Sequence, residues 1–308
     1  MRITGFEHID GVIGGVIATW PEHEKYLTRC FSGYDVGDLT ELEELARCVV
    51  MLMGDNAVEY YDSYRWMCGE INKETLYFKR NGRYRLSTFE EANREVYSNR
   101  PFMKKYIEGI LTSQMLWRNH SAAFLFFKRN FLASLKPDYR YLEVGPGHGL
   151  FLSVAAQDPR CGAATAWDVS EESLRQTREA LDRFGVGKSV LLERQDIHAP
   201  TRRPEDGALF DGIALCEVLE HLEHPREALA SLGQFLSPDG VLYINVPLNS
   251  PAPDHIFLLR NEAEVRSLME SAGLSVVDLQ LVPMTGYDLK AAQSQNATVT
   301  CFVLARRA

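Results

Sequence analysis

The sequence predicts an α/β protein with a mostly parallel sheet, preceded by a mainly helical region. Three observations support this. Apolar runs of strand length alternate with helical segments through the second half of the chain. Three glycines at alternate positions follow the first of these runs, and helical periodicity dominates the first half. Because 308 residues exceed the usual size of one domain, we expect two.

The domain boundary is predicted near Pro137, so that residues 1–137 form one domain and residues 138–308 the other. Pro137 ends a helical pattern, and the first strand begins directly after it. Upstream, periodicity predicts helices over residues 39–52, 56–68, 88–97, 101–116 and 121–135.

One segment of the first domain departs from helical periodicity. Residues 75–86 alternate around Asn81-Gly82, which is a strong signal for a hairpin. Helices followed by a hairpin favour a winged-helix-like unit. The hairpin would carry a group of basic side chains that could lie on nucleic-acid phosphates, namely Lys79, Arg80, Arg83 and Arg85.

The loop after the first predicted strand is the most informative segment. Gly145, Gly147 and Gly149 allow a tight turn and a close approach of backbone to ligand, and Pro146 fixes φ between two of them. The dinucleotide-binding fingerprint needs glycine at its sixth position, which here is Leu150. The loop therefore does not predict a diphosphate site.

The run from Glu143 to Gly149, Glu-Val-Gly-Pro-Gly-His-Gly, resembles the first motif of class I S-adenosylmethionine-dependent methyltransferases. This resemblance implies a Rossmann-like domain with a seven-stranded, mostly parallel sheet over residues 138–308. It also implies S-adenosyl-L-methionine as cofactor and S-adenosylhomocysteine as product. Residues of the motif expected to line the cofactor site are Glu143, Gly145, Pro146, Gly147 and Gly149.

Later strand ends supply the remaining cofactor residues. Asp168 ends the second strand about 20 residues after the loop, where a doubly wound fold places the acid that binds ribose hydroxyls, and Val169 follows it. The resemblance further implies that Asp196 meets the adenine amino group and that Ile197 covers the ring. Cys216 and Glu217, at the end of the fourth strand, would close the floor of the pocket.

The first domain is similar, more loosely, to the amino-terminal dimerisation domains of small-molecule O-methyltransferases. That similarity rests on the helices and on the segment Tyr84-Arg-Leu-Ser87 after the expected hairpin. It implies a cap over the cofactor domain and a homodimer.

Methyl transfer requires alignment of donor and acceptor, exclusion of water and, for a hydroxyl or amine, removal of a proton. Histidine can take that proton because it titrates near neutral pH. The candidates are His221 and His255 in the second domain, and Asn119 and His120 in a polar segment of the first that could form a lid. Helix capping or ordinary helix termination remains open for each.

A second interpretation applies to Glu217, Glu220 and His221, which lie on one helical face and could bind a divalent metal together with His255. Related quinone and RNA-end methyltransferases carry a similar Glu-x-x-Glu-His run. The same run is common in metal-free relatives, and our prediction is a site without metal.

The distribution of charge along the chain indicates which class of molecule accepts the methyl group. Residues 1–137 hold 18 basic and 18 acidic side chains, and residues 138–308 hold 15 and 24, so the second half carries the whole net charge of −9. An acidic catalytic domain repels phosphate backbones, so we expect a small organic acceptor of specialised metabolism and not a nucleic acid.

Cysteine usage and hydropathy indicate the compartment. The six cysteines show no paired spacing, which favours reduced thiols. No apolar stretch reaches the roughly 18 residues of a membrane span, and residues 1–20 lack the pattern of a signal peptide. We therefore expect a cytoplasmic protein without a membrane partner.

Two other functions remain open at this level. Some proteins of this fold attack the aminobutyrate chain of S-adenosylmethionine intramolecularly, giving a small nitrogen ring such as azetidine-2-carboxylate and releasing methylthioadenosine. The other possibility is a winged-helix regulator whose second domain senses the cofactor and whose basic hairpin binds DNA.

Overall fold

The computed structural model describes residues 5–202 and 209–308. They form two compact units, which we call the helical unit and the sheet unit. The helical unit comprises Met1–Leu125, Asn249–Leu258 and Val282–Thr300. The sheet unit comprises Phe126–Leu248, Leu259–Leu281 and Cys301–Ala308.

The helical unit begins with helices whose ends follow local capping rules. Asp35 caps α3 by accepting a hydrogen bond from the main-chain N–H of Asp38 at 2.8 Å, and Asn99 caps α6, which has a proline in its first turn. α4 packs along α6, and α1 packs along α3. The helices are α1 (Glu7–Thr19), α2 (Glu24–Phe31), α3 (Val36–Met53), α4 (Ala57–Asn81), α5 (Phe89–Ala92), α6 (Arg100–Leu116) and α7 (Arg118–Phe126).

The helices predicted at residues 39–52, 88–97, 101–116 and 121–135 lie close to those observed, whereas the helix predicted at residues 56–68 covers only about the first half of α4; α1 and α2 were not predicted. π-helical turns continue α5 over Asn93–Tyr97 and α7 over Phe127–Leu132. These turns explain why periodicity indicates longer helices there than α5 and α7 alone provide.

The hairpin predicted around Asn81-Gly82 is wrong. α4 continues to Asn81 and ends at Gly82, whose φ of +67° forms a left-handed C-cap with its N–H bonded to the Phe78 carbonyl at 2.8 Å. Asn-Gly suits such a helix end as well as a hairpin turn, because both need positive φ. Arg85 folds back onto α4, pairing with Glu74 at 3.0 Å, so the expected basic hairpin does not form.

The sheet unit contains the predicted seven-stranded sheet, in the order β3-β2-β1-β4-β5-β7-β6. The pairs β3–β2, β2–β1, β1–β4 and β4–β5 are all parallel. The strands are β1 (Tyr139–Val144), β2 (Cys161–Asp168), β3 (Val190–Arg194), β4 (Phe210–Cys216), β5 (Leu236–Leu248), β6 (Leu274–Pro283) and β7 (Val299–Arg307). The helices of the sheet unit are α8 (Leu150–Gln157), α9 (Glu171–Arg183), α10 (Pro225–Phe235) and α11 (Glu262–Ser271), whereas α12 (Leu289–Ser294) belongs to the helical unit.

The strand order reverses beside β1, because β2 lies on one side of it and β4 on the other. In open α/β sheets ligands bind at the carboxyl ends of the strands at this reversal. Aromatic side chains pack β1 and β5 against the π-helical turn that precedes the sheet. The ring of Phe131 in this turn lies 6.2 Å from that of Tyr141 and 5.4 Å from that of Tyr243. A Cβ at Gly212 on β4 would approach a terminal methyl of Leu135 to 2.7 Å, so a larger residue there would force this side chain to shift.

The division into compact units differs from the predicted boundary at residue 137. The chain passes from the helical to the sheet unit at residues 125 and 126, and residues 249–258 and 282–300 return to the helical unit. Contacts made by Ser250 and Ile256 join residues 249–258 to the rest of the helical unit. The Ser250 N–H donates to the Tyr84 hydroxyl at 3.1 Å, and Ile256 packs on the small apolar cluster around Leu86. The limits of independently folding domains stay a prediction.

Candidate functional site

The glycine loop lies at the carboxyl end of β1, with positive φ at Gly145 (+67°), Gly147 (+52°) and Gly149 (+72°). Gly145 donates to the Trp167 carbonyl and Gly149 to the Pro146 carbonyl, each at 2.8 Å. A Cβ on Gly147 would meet no atom within 4 Å, so this part of the loop presents bare backbone beside open space. Such a surface can receive a ligand closely.

Side chains outside the loop hold it in place. Thr177 of α9 donates its hydroxyl proton to the Gly147 carbonyl at 3.1 Å. A Cβ on Gly145 would lie 3.0 Å from a side-chain methyl of Val218, which comes just after β4. The end of β4 therefore lies beside the loop. Burial lowers the pKa of His148 to about 4, and its Nδ1 accepts a hydrogen bond from the Leu150 N–H at 3.3 Å. The neutral imidazole of His148 therefore helps to hold the conformation of the loop.

Glu143 is buried two residues before the loop. Its Oε2 accepts a 2.6 Å hydrogen bond from the hydroxyl of Tyr141, and burial raises the pKa of its carboxyl to about 8. Sequence reasoning missed Tyr141. Because strand side chains alternate faces, Tyr141 and Glu143 share one face, and this spacing is the signal that could have identified the pair.

Asp168 ends β2, and its carboxylate is oriented by two short contacts. The Ser170 N–H donates to Oδ1 at 2.8 Å, and the Ser173 hydroxyl donates to Oδ2 at 2.6 Å. Burial raises the pKa of Asp168. Ser173 was not identified from the sequence, although its position in the first turn of α9 favours such a contact. Val169 is half exposed beside it.

The segment after β3 is tied to the end of β2 through a main-chain hydrogen bond from Gln195 to the Asp168 carbonyl at 3.0 Å. This brings the Asp196 and Ile197 segment to the same edge of the sheet as Asp168. Ile197 is buried, whereas Asp196 is exposed and accepts a hydrogen bond from the His198 N–H at 2.9 Å.

The end of β4 holds a second acid, Glu217, which is half-buried. Glu217 has a φ of +54°, and its N–H donates to the Asn245 carbonyl of β5 at 2.9 Å. Burial raises the pKa of Glu217 to about 8. Within the described chain, its Oε1 and the Asn245 Oδ1 are buried without a hydrogen-bond partner. Cys216 lies next to Glu217, and burial raises its pKa well above the usual range.

His221 ends the short helical turn that follows Glu217. Its Nε2 lies 3.9 Å from an oxygen of Glu220, a carboxyl that is almost fully buried. These donors, together with Glu217, are of the kind that divalent metals accept. His255, the fourth residue of the metal interpretation, belongs to the helical unit.

His255 and its neighbours form a polar cluster within the helical unit. The ring donates from Nδ1 to the Ser250 carbonyl at 2.7 Å, and the Tyr84 ring lies 5.8 Å away, edge-on. The Tyr106 hydroxyl donates to Asp254 at 3.0 Å. Since a carbonyl only accepts, neutral His255 carries its proton on Nδ1 and its lone pair on Nε2.

The polar segment around residue 120 is buried in the helical unit. Nδ1 of His120 lies 2.9 Å from the Ser113 hydroxyl oxygen, and the Asn119 amide donates to the Thr300 hydroxyl at 2.9 Å. Both side chains are about 95% buried. Asn119 thus joins α7 to the start of β7, a contact that favours a structural role for this side chain.

In residues 5–202 and 209–308, no helix combines the length and the apolar content that a membrane crossing requires. The six cysteines, all in the described chain, form no disulfide.

Comparison with known proteins gives consistent results. A family model described as a methyltransferase domain matches residues 117–282, more than half of the chain. The uncharacterised protein syc1184_c of Synechococcus sp. is 28% identical over 135 residues, which cover 44% of this chain and 29% of that protein. A ubiquinone biosynthesis O-methyltransferase of Azoarcus sp. is 29% identical over 106 residues, covering 34% and 43% respectively. This chain therefore spans less than half the length of both relatives.

Among solved structures, the mitomycin 7-O-methyltransferase MmcR superposes with a TM-score of 0.53 at 15% identity. The superposition covers 84% of this chain and 74% of that one, so the shared fold extends beyond the residues of the family match.

Proposed function

The chain belongs to the methyltransferase-domain family and has the class I S-adenosylmethionine-dependent fold, and we propose that it transfers a methyl group from S-adenosylmethionine to a small organic acceptor of specialised metabolism. The names of the O-methyltransferase relatives support a hydroxyl as the acceptor group.

The observation that carries this proposal is the set of hydrogen-bond acceptors around the glycine loop. Glu143, Asp168 and Glu217 offer carboxyl oxygens at the ends of three neighbouring strands, next to bare glycine backbone. A nucleoside with ribose hydroxyls, an ammonium and a sulfonium supplies the donors and positive charge that such a surface lacks. The residues present therefore fit S-adenosylmethionine, which when bound provides an activated methyl group.

We assign roles to the lining residues on this basis. Gly145, Pro146, Gly147 and Gly149 receive the cofactor against the backbone, and Glu143 lies beneath them. Asp168 and Val169 hold the ribose, Asp196 and Ile197 hold the adenine, and Cys216 and Glu217 close the floor. Ser170 and Ser173 support this assignment, because they fix the Asp168 carboxylate before a ligand arrives.

Removal of the acceptor proton is assigned to a histidine of the helical unit. His255 and His120 each have a hydrogen bond at Nδ1 that orients the ring, and histidine can accept a proton near neutral pH. Asn119 is then a structural neighbour, and His221 remains the alternative in the sheet unit.

We further propose a cytoplasmic homodimer that acts without nucleic acid. Six free cysteines favour a reducing compartment, and the acidic second half disfavours phosphate backbones. The regulator hypothesis has lost its main support, because residues 75–86 do not form the basic hairpin. Light scattering tests assembly: a homodimer scatters at twice the chain mass of 34.9 kDa, and a monomer at micromolar concentration refutes it.

The decisive experiment incubates the purified protein with S-adenosylmethionine, first alone and then with a panel of hydroxylated small molecules, and follows products by mass spectrometry. The proposal expects S-adenosylhomocysteine only when an acceptor is present. Methylthioadenosine released without any acceptor would instead establish intramolecular cyclisation. Calorimetry with S-adenosylhomocysteine checks cofactor binding separately, and an absence of binding would reject both chemistries.

A further inference from the structure

His198 follows β3 in the sheet unit, and both nitrogens of its ring make a contact. Nδ1 lies 3.3 Å from Oδ1 of Asp196, and Nε2 lies 3.2 Å from the main-chain carbonyl oxygen of His224. His224 immediately precedes α10. The ring therefore joins the segment after β3 to the loop before α10, and we call this pair of contacts the His198 bridge.

The two partners fix the protonation state of a ring that makes both contacts. A carboxylate oxygen and a carbonyl oxygen can only accept hydrogen bonds, so each ring nitrogen must carry a proton. Neutral imidazole has one N–H and satisfies only one of the two partners, whereas the imidazolium ion satisfies both. The complete bridge is therefore a property of positively charged His198.

The order of strands shows where the bridge lies in the sheet unit. β2 and β1 separate β3 from β4. Because neighbouring strands are about 4.8 Å apart, β3 and β4 end about 14 Å apart. The main-chain hydrogen bond from Gln195 to the Asp168 carbonyl turns the chain from β3 towards the carboxyl end of β2. The bridge thus holds a segment that crosses the edge of the sheet where the glycine loop begins.

The two carboxylate oxygens of Asp196 are engaged differently. Oδ1 accepts from the main-chain N–H of His198 at 2.9 Å as well as from the ring. Among the residues that the structure describes, no group contacts Oδ2, and the side chain is 56% exposed. A carboxylate that is held through one oxygen can accept from an amino group of a ligand through the other.

We propose that His198 is a positioning residue for adenine recognition, which as the imidazolium holds Oδ1 of Asp196 so that Oδ2 accepts from the adenine amino group. This inference rests on the proposed binding of S-adenosylmethionine and adds to it a residue and a pH dependence. Histidine loses its second proton near neutral pH, so the bridge is complete in mildly acidic solution and loses one contact as the pH rises. The contribution of His198 to cofactor affinity falls in the same direction.

Other titratable groups of the site decide how this pH dependence is measured. The segment that faces His198 carries four charged or titratable side chains, namely Glu223, His224, Arg226 and Glu227. Arg226 and Glu227 pair with each other at 2.8 Å. Burial raises the pKa of Glu143 and of Glu217 to about 8, so cofactor affinity also changes with pH through these carboxyls. The informative quantity is therefore the ratio of wild-type to variant affinity at each pH.

The test compares His198→Ala with a matched control, His224→Gln. The control removes a second exposed histidine ring from the same place but keeps the main-chain carbonyl that accepts from His198, and the His224 side chain makes no capping hydrogen bond to α10. Calorimetry at about pH 6 and about pH 8, on either side of the histidine titration, measures affinity for two ligands. These are S-adenosylhomocysteine and S-inosylhomocysteine, which has a carbonyl oxygen in place of the adenine amino group.

A second measurement uses the ligand-free protein. Nitrogen-15 NMR of labelled histidines reports whether both ring nitrogens of His198 carry protons, and the spectrum of His198→Ala identifies the signal. The bridge requires the doubly protonated form at about pH 6.

We expect His198→Ala to weaken S-adenosylhomocysteine binding about fivefold at about pH 6 and less than about twofold at about pH 8, as for a partly exposed charged pair. S-inosylhomocysteine binding should change less than about twofold at both pH values, and His224→Gln should affect neither ligand. Equal losses for the two ligands, an affinity ratio independent of pH, or a singly protonated His198 in the acidic sample would overturn the inference. Absence of S-adenosylhomocysteine binding to the wild type would reject the proposed function as well, whereas wild-type binding that His198→Ala leaves unchanged rejects the inference alone.

Discussion

Glu143 makes the stability of the sheet unit depend on pH, and replacing it with glutamine tests this directly. The carboxyl is 2% exposed, accepts one hydrogen bond from Tyr141, and has its pKa raised by burial from the usual 4.5 to about 8. Folded protein therefore retains this proton up to about pH 8, whereas unfolded chain releases it near pH 4.5. Between these values unfolding releases a proton, so stability falls as pH rises.

The size of the effect follows from the shift. One pKa unit corresponds to about 1.4 kcal/mol, so 3.5 units give a loss of about 5 kcal/mol from Glu143 between the two pKa values. Glu217 contributes in the same direction, since burial also raises its pKa to about 8. Glutamine cannot ionise, and its carbonyl oxygen can still accept from Tyr141.

We expect Glu143→Gln to reduce the fall in unfolding free energy between about pH 5 and about pH 8 by up to about 4 kcal/mol. Urea denaturation followed by far-ultraviolet circular dichroism at several pH values measures this. Glu217→Gln should act similarly, and the double variant should lose both contributions, leaving the opposite contribution of His148, whose lowered pKa makes stability rise with pH up to about pH 6.5. Glu95→Gln, which removes an exposed carboxylate, is the control. A wild-type slope in Glu143→Gln would refute the burial argument.

Three further predictions concern binding and catalysis. Asp168→Ala should weaken S-adenosylmethionine binding by about 1.5–3 kcal/mol, the cost of charged hydrogen bonds; unchanged affinity in calorimetry would remove Asp168 from the ribose site. Gly147→Val should abolish binding, because the loop needs a φ of +52° there and bare backbone towards the ligand, and wild-type affinity would contradict this. His120→Ala should lower turnover about 100-fold at unchanged cofactor affinity. Asn119→Ala should mainly lower the melting temperature, which differential scanning calorimetry measures.

Local sequence determined much of the sheet unit. β1 and the glycine loop were predictable because an apolar run and residues with special backbone freedom carry the signal within a few neighbours. The family resemblance followed from the same short stretch around Gly145 and Gly149. Local signals fail where one dipeptide suits two structures. Asn81-Gly82 can end a helix or turn a hairpin, and the packing of α4 along α6 favours the helix.

Tertiary structure alone decided which distant segments share a compact unit and which buried carboxyl groups keep their protons. Residues 249–258 follow β5 in the chain, yet they pack with the helical unit through contacts such as Ser250 to Tyr84, more than 160 residues apart. The raised pKa of Glu143 depends on burial by strands from several parts of the chain. Burial and hydrogen-bond direction arise from three-dimensional neighbours, so no pattern along the chain encodes them.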